Sequence, residues 1–234
     1  MADSLAAIRW AVFDKGVLTM DELLKLLRRN FRGGAKARQM LLSRAPKYGS
    51  DDASADELAR WVTEVFCDEV RNHECGRGGS YRPGMFSYGV HVVDGLYLGA
   101  TPDGRLAGEP VSNGISPVNG TESGGPTAVL RSAVTASSPT LSNGSSLNMR
   151  LSPRLFESAE KADKLPALVR GYFALGGRHV QFNVVYTATL KDAQAHPERH
   201  RDLVVRVSGY CAYFTDLGTS IQDDIIARTE FDAL

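Results

Sequence analysis

The chain has 234 residues, with 27 Lys+Arg balanced by 27 Asp+Glu, so its formal net charge is zero. That length permits one large domain or two small ones with a sizeable core. Balanced charge gives no electrostatic ground for a nucleic-acid or anionic-membrane partner, and leaves little repulsion to hold apolar surfaces of associating chains apart. Three cysteines, Cys67, Cys75 and Cys211, without a close CxxC pair, argue against a disulfide framework or a four-thiolate metal site. Residues 1–11 lack a basic segment leading into an apolar run, and no stretch approaches about eighteen apolar residues. Neither a signal peptide nor a membrane span is expected, and a reducing cytoplasm is the default location.

The first third reads as helices. Leu5, Ile8, Val12 and Phe13 follow helical spacing behind an N-cap at Asp3 or Ser4. Thr19 and Glu22 form a capping box that opens the apolar face Leu23, Leu24, Leu26, Leu27 and Phe31, and Gly33-Gly34 is the expected stop. A short helix follows near Lys36 to Ser43. After a turn through Pro46 and Gly49, a long helix is expected from about Ser54 to Asn72. Its stripe Leu58, Trp61, Val62, Val65, Phe66 and Val70 is predicted to face the core, with Cys67 a buried inert thiol.

From Cys75 the texture changes. Residues 76–146 are rich in Gly, Ser, Thr, Asn and Pro, with strand-like runs at Met85 to Val93 and Leu96 to Ala100. The apolar runs argue for ordered loops laid over other structure rather than a linker. A helix near Leu165 to Leu175 stops at Gly176-Gly177, and Val180 to Tyr186 reads as a buried strand. A short helix around Thr189 to Ala195 follows, then a strand-like Leu203 to Phe214 with Gly209 at its middle, then a helix over Gln222 to Thr229. On spacing alone, a glycine within a strand marks a bulge or a close backbone approach. His91, His179 and His200 lack metal-ligand spacing with carboxylates, and the Gly-rich loops match no nucleotide fingerprint.

The stretch around that glycine is specific. Arg206-Val207-Ser208-Gly209-Tyr210, then Ala212-Tyr213-Phe214, Leu217, Gln222-Asp223, Ile225-Ile226 and Arg228-Thr229, resembles the C-terminal signature of glycyl radical enzymes. Further motifs resemble the same family in order: Arg77-Gly78-Gly79-x-Tyr81-Arg82-Pro83-Gly84, Gly99-Ala100-Thr101-Pro102-Asp103-Gly104-Arg105 and Gly108-Glu109-Pro110. They continue through Asn113-Gly114-Ile115-Ser116-Pro117, Gly125-Pro126-Thr127-Ala128-Val129-Leu130, Ser142-Asn143-Gly144 and His179-Val180-Gln181-Phe182-Asn183-Val184. The resemblance covers essentially the whole chain, and is closer to the glycerol, choline and hydroxyproline lyase branch than to pyruvate formate-lyase itself.

The resemblance implies an α/β fold, the second half of a ten-stranded glycyl radical enzyme barrel, with N-terminal helices and long Gly-rich loops. It divides the chain into a helical segment (1–75), half-barrel strands, loops and helices (76–198) and a glycyl radical domain (199–234). It implies a post-translational radical on Gly209, placed there by a radical-S-adenosylmethionine activating enzyme, with no bound metal or nucleotide. Glycine is required because a Cβ would crowd a planar, delocalised α-carbon radical. Dioxygen cleaves the backbone at such a radical, which would detach residues 210–234, so the glycine is expected to be buried. Arg206, Val207, Ser208, Tyr210 and Asn183 are expected to support the radical loop, and Phe86 and Ser87 to fall near a substrate pocket.

The family's catalytic cysteine sits in a Gly-Cys-x-Glu-like loop, a context that Cys67, Cys75 and Cys211 all lack. Cys211 stands two residues from Gly209, where relatives often have serine. The expected function is therefore the radical-bearing small subunit of a split, oxygen-sensitive lyase or dehydratase acting on a small polar molecule. That subunit would be inactive without a larger partner carrying the cysteine loop. The alternatives are a spare part that restores the radical to an oxygen-cleaved enzyme, and a decayed fragment serving as a scaffold.

Overall fold

In the computed structural model, which describes residues 1–137 and 139–234, the chain opens with helices, as its periodicity predicts. The first is capped at Met1 rather than at Asp3 or Ser4, which lie inside it and bond Tyr48 and Asp103 instead. Helix α1 (Ala2–Ile8) runs on through a π-helical turn (Arg9–Asp14), followed by α2 (Met20–Arg28), α3 (Ala35–Arg44) and α4 (Ala53–Arg71). The capping box forms: Thr19 Oγ1 accepts from the Glu22 amide at 3.2 Å, and the Glu22 carboxylate accepts from the Thr19 amide at 2.8 Å. Helix α2 ends ahead of the expected Gly33-Gly34 stop. Asn30 and Phe31 already turn left-handed, at φ 50° and 56°, which sets Phe31 into the core beside Leu23 and Leu41.

The buried face of α4 differs from the expected stripe. Trp61 and Val65 are 55% and 49% exposed, whereas Ala55, Asp56, Ala59, Thr63 and Cys67 are buried. Small residues at i, i+4 spacing let α4 approach α1 and α6 (Gly125–Ala136) closely, with Ala6 and Ala136 in the same cluster. The helix has two apolar faces, and periodicity alone does not say which one is covered.

Asp56 ties these helices together: only 3% exposed, it accepts a hydrogen bond from Ser132 Oγ of α6 at 2.8 Å. Burial pushes its pKa from 3.8 to about 6. Between those values the folded state keeps a proton that the unfolded chain has released. The group's stabilising contribution is thus complete below the unfolded value and lost as pH rises through about 6. In Asp56→Asn that loss is removed, so the urea midpoint of the variant relative to wild type should improve from about pH 4 to about pH 7. A pH-independent difference would contradict this.

The run 85–93 is not a strand. Met85 makes a single bridge to Ser145, and Gly89, at φ 91°, leads into helix α5 (Val90–Tyr97). Valine-rich composition favours strand, yet His91, Val92 and Gly95 are buried by the helical arrangement. A Cβ at position 95 would collide with the Glu109 carbonyl, so this helix face fits its neighbours only with glycine there. The following loops are ordered, as expected: buried Arg105 donates to the carbonyls of Gly99, Leu106 and Glu109.

Five strands are present among the described residues: β1 (Asn148–Leu151), β2 (Gln181–Val184), β3 (Val204–Arg206), β4 (Cys211–Tyr213) and β5 (Glu230–Phe231). Three of them form a parallel sheet ordered β2-β1-β5, with Asn148 opposite Gln181 and Leu151 opposite both Val184 and Phe231. Leu147, Met149, Leu151, Val129, Leu130 and Tyr172 pack together in the main core. The predicted Val180–Tyr186 strand is shorter and only partly covered, with Val184 48% exposed. Helix α8 (Lys164–Ala174), preceded by the single turn α7 (Ala159–Ala162), ends before Gly176-Gly177 as expected.

The C-terminal part has its own core of Leu190, Val205, Val207, Phe214 and Ile225, shared by α9 (Thr187–Ala195), α10 (Thr219–Ala227) and the last strands. Leu203 to Phe214 is not one strand. β3 and β4 pair antiparallel, with Arg206 opposite Cys211, and Gly209 lies at the tip of the hairpin between them. Among the described residues no helix is long and apolar enough to cross a membrane.

Candidate functional site

The tip of the β3–β4 hairpin is Val207-Ser208-Gly209-Tyr210, closed by a hydrogen bond from the Val207 amide to the Tyr210 carbonyl at 2.9 Å. Gly209 has φ 88°, a region that L-residues with a Cβ rarely adopt. Val207 and Ser208 are fully buried, whereas Gly209 and Tyr210 are exposed. Burial of the glycine, expected for an oxygen-sensitive radical, is therefore not provided by this chain's own residues.

The base of the hairpin is fixed by side chains that substitute for a strand partner. Asn183 on β2 accepts from the Arg206 amide at 2.7 Å and donates Nδ2 to the Arg206 carbonyl at 2.8 Å. Arg228, 5% exposed, donates to the Arg206 carbonyl at 3.1 Å and the Val207 carbonyl at 2.8 Å. The same guanidinium meets Asp224 Oδ2 at 3.1 Å, with His91 Nε2 from α5 also 3.1 Å from that oxygen. Asn119 Nδ2 donates to the other carboxylate oxygen at 3.0 Å. Burial pushes the Asp224 carboxyl up, but the His91 ring and the Arg228 guanidinium outweigh it and hold the pKa below the usual carboxylate range. Burial pushes the Arg228 pKa down, against the pull of Asp224.

A second polar chain supports the tip from below. Asn113 Oδ1 accepts from Ser208 Oγ at 2.7 Å, Ser87 Oγ at 2.9 Å and Asn148 Nδ2 at 2.9 Å. Asn148 also accepts from Gln181, so the network runs from the parallel sheet to the residue before Gly209. Each member is buried or half-buried, which makes this a seat of fixed geometry.

Facing the tip is the turn Ser87-Tyr88-Gly89. Ser87 Oγ lies 3.1 Å from Ser208 Oγ. Tyr88 has φ 47°, an uncommon conformation for a tyrosine that costs about 1–3 kcal/mol. A Cβ placed on Gly209 would stand 3.6 Å from Tyr88 Cε1, so the ring covers the side-chain position of the glycine. Phe86 stacks obliquely on Tyr88, with ring centroids 5.8 Å apart.

The structure thus brings Asn183, Arg206, Val207, Ser208 and Ser87 into one assembly around Gly209. Ser87 serves the hairpin's seat here, and Phe86 backs Tyr88 and packs over Gly84. Tyr210 extends its hydroxyl to 3.8 Å from the side-chain position of Gly89. Arg206 contributes its backbone, and its charge helps to lower the pKa of His179, which burial already depresses. Cys211 is exposed at the start of β4. Asn113, Tyr88, His91, Asp224 and Arg228 were not predicted as site residues. Asn113 and Arg228 lie inside the motifs quoted above, but nothing local in the sequence says that they meet the hairpin. Among the described residues no group of three or more His, Cys, Asp or Glu side chains could hold a metal ion.

Known proteins give this geometry a context. Residues 111–215 match the family model described as glycine radical, and residues 1–95 match the model described as pyruvate formate lyase-like. The chain is 40% identical over 230 residues to trans-4-hydroxy-L-proline dehydratase from Clostridioides difficile, covering 98% of this chain and 29% of that protein. It is also 40% identical over 238 residues to isethionate sulfite-lyase from Oleidesulfovibrio alaskensis, covering 100% of this chain and 28% of that one. The glycerol-bound B12-independent glycerol dehydratase from Clostridium butyricum superposes with a TM-score of 0.95 at 41% identity, over 99% of this chain and 29% of that one. The chain thus spans under a third of the length of the relatives it matches, while almost all of it takes part in the match. With two of the family's models matched in succession and these relatives alike in fold and sequence, the chain belongs to the glycyl radical enzyme family and carries its glycine radical domain.

Proposed function

We propose that this chain stores the glycyl radical on Gly209 and is the radical-bearing small subunit of a split lyase or dehydratase. The observation that carries this reading is the hairpin: an exposed left-handed glycine at the tip of a turn whose two preceding residues are fully buried. The radical, once formed by an activating enzyme, supplies hydrogen-atom abstraction from a cysteine thiol, and that thiol radical acts on substrate.

The residues around Gly209 suit that cofactor. Asn183 and Arg228 hold the carbonyls of Arg206 and Val207, and Asn113 holds the Ser208 hydroxyl, so the backbone leading into the glycine is set by the fold. Position 209 itself is free of any side chain that would oppose a planar α-carbon.

The complementary part would bring the cysteine loop and cover the open surface. Trp61, Val65, Val90, Val93 and Leu96 are large apolar residues roughly half exposed or more, which a buried interface would remove from water. The names of the relatives support the reaction class: dehydration of trans-4-hydroxy-L-proline and of glycerol, and sulfite elimination from isethionate.

The test is reconstitution. Purified with a cysteine-loop chain and an activating enzyme under anaerobic conditions, the protein should form a stable complex and show lyase or dehydratase turnover that neither chain shows alone. A soluble monomer that ignores such a chain would contradict the split reading. Restored turnover in an oxygen-cleaved relative would favour the spare-part role instead.

A further inference from the structure

Ser87-Tyr88-Gly89 and Ser208-Gly209-Tyr210 face one another, each led by a serine, with tyrosine and glycine in exchanged order. Each turn places a tyrosine over the other's glycine. The Tyr88 ring comes to 3.6 Å from the side-chain position of Gly209, and the Tyr210 hydroxyl to 3.8 Å from that of Gly89. Both glycines are left-handed, at φ 88° and 91°. The two serines meet at 3.1 Å and share Asn113 Oδ1 as acceptor.

We infer that Tyr88 is a positioning residue for the radical site: its turn clasps the glycine hairpin, and its ring covers one face of the Gly209 α-carbon. The inference rests on the proposed radical function, and three geometric facts carry it. Tyr88 keeps a left-handed backbone that almost any other placement would relieve, although its side chain is 61% exposed and gains little from burial. Phe86 props the ring from behind, at a centroid distance of 5.8 Å. The turn is anchored on both sides: Ser87 by Asn113, and Gly89 as the residue that starts α5, whose His91 reaches the Asp224–Arg228 pair under the hairpin. One short segment thereby covers the side-chain position of the glycine and reaches the charges that anchor its hairpin.

A side chain at Gly89 or Gly209 would have ordinary room, so the clasp does not arise from crowding. It is the left-handed backbone at both positions that brings the two turns together. The ring lies against the position an L-residue's Cβ would take, 3.6 Å from it. It thus limits approach to the glycine to the opposite face and opposes rotation of the tip.

The test uses the assembled, anaerobically activated protein, with Tyr88→Asn and Tyr88→Phe. Asparagine accepts the left-handed backbone better than tyrosine does but lacks the ring, so its variant should fold. Two readouts separate positioning from general stability. Amide hydrogen exchange of residues 208–211 should rise about tenfold in Tyr88→Asn and stay at the wild-type rate in Tyr88→Phe. The electron paramagnetic resonance signal, dosed with limiting dioxygen, should decay about tenfold faster in Tyr88→Asn and at the wild-type rate in Tyr88→Phe. Wild-type behaviour of Tyr88→Asn in both readouts would overturn the inference. If wild type shows no radical at all, the proposed function fails, and the exchange comparison still decides whether the clasp exists.

Discussion

Replacing Arg228 by alanine is expected to destabilise the protein by about 3–5 kcal/mol, because it strands a buried carboxylate. Asp224 is 4% exposed, and among the described residues Arg228 is the one side chain of permanent positive charge paired with it, at 3.1 Å. Among the described residues its carboxylate also meets the His91 ring and the Asn119 amide. Arg228 also gives up its hydrogen bonds to the carbonyls of Arg206 and Val207, each worth about 1 kcal/mol net and more when the donor is charged. The loss should therefore concentrate on the hairpin, appearing as a lower urea midpoint and as faster amide exchange over β3 and β4. Adding Asp224→Asn to Arg228→Ala should recover part of the stability, since the stranded charge is then gone. A loss below about 1 kcal/mol would mean that the cluster does not hold the glycine hairpin.

The pattern of what was legible follows from where the information lies. Local signals worked. The Thr19–Glu22 capping box, the stop near Gly176 and the helices over 35–44, 164–174 and 187–195 are set by residues close in sequence. Signals that depend on distant partners failed. Val90 to Tyr97 has the valine content of a strand but folds as a helix, because His91 must meet Asp224 and Gly95 must slide past Glu109. Trp61 and Val65 look like a core stripe, yet the alanines beside them are what packs against α1 and α6. Strand β1, the centre of the parallel sheet, drew no prediction at all, since Asn148 and Arg150 interrupt its apolar pattern and are buried by hydrogen bonds instead.

The site shows the same division. Gly209 and the residues around it stood out because one contiguous motif contains them. Asn113, Tyr88 and Arg228 act on that hairpin from 21 to 121 positions away in sequence, and only the fold shows them converging on one turn. The hairpin also sharpened the reading of the glycine itself. It is a tip rather than the middle of a strand, so its left-handed backbone and its exposure are properties of a turn.

That geometry makes Gly209→Ala a clean substitution for the second large effect. An alanine Cβ would meet Tyr88 at an ordinary 3.6 Å, so the cost is confined to the left-handed backbone, about 1–2 kcal/mol. The variant should remain folded and still associate with a cysteine-bearing partner, while its capacity to hold a radical is lost completely. The decisive measurement is electron paramagnetic resonance after anaerobic activation, on protein labelled with carbon-13 at the glycine α-carbon and on Gly209→Ala. The proposed function predicts a doublet from one α-hydrogen in wild type, broadened by the label, and no organic radical signal in Gly209→Ala. A doublet that survives in Gly209→Ala, or a wild-type signal untouched by the label, would contradict the placement of the radical on Gly209.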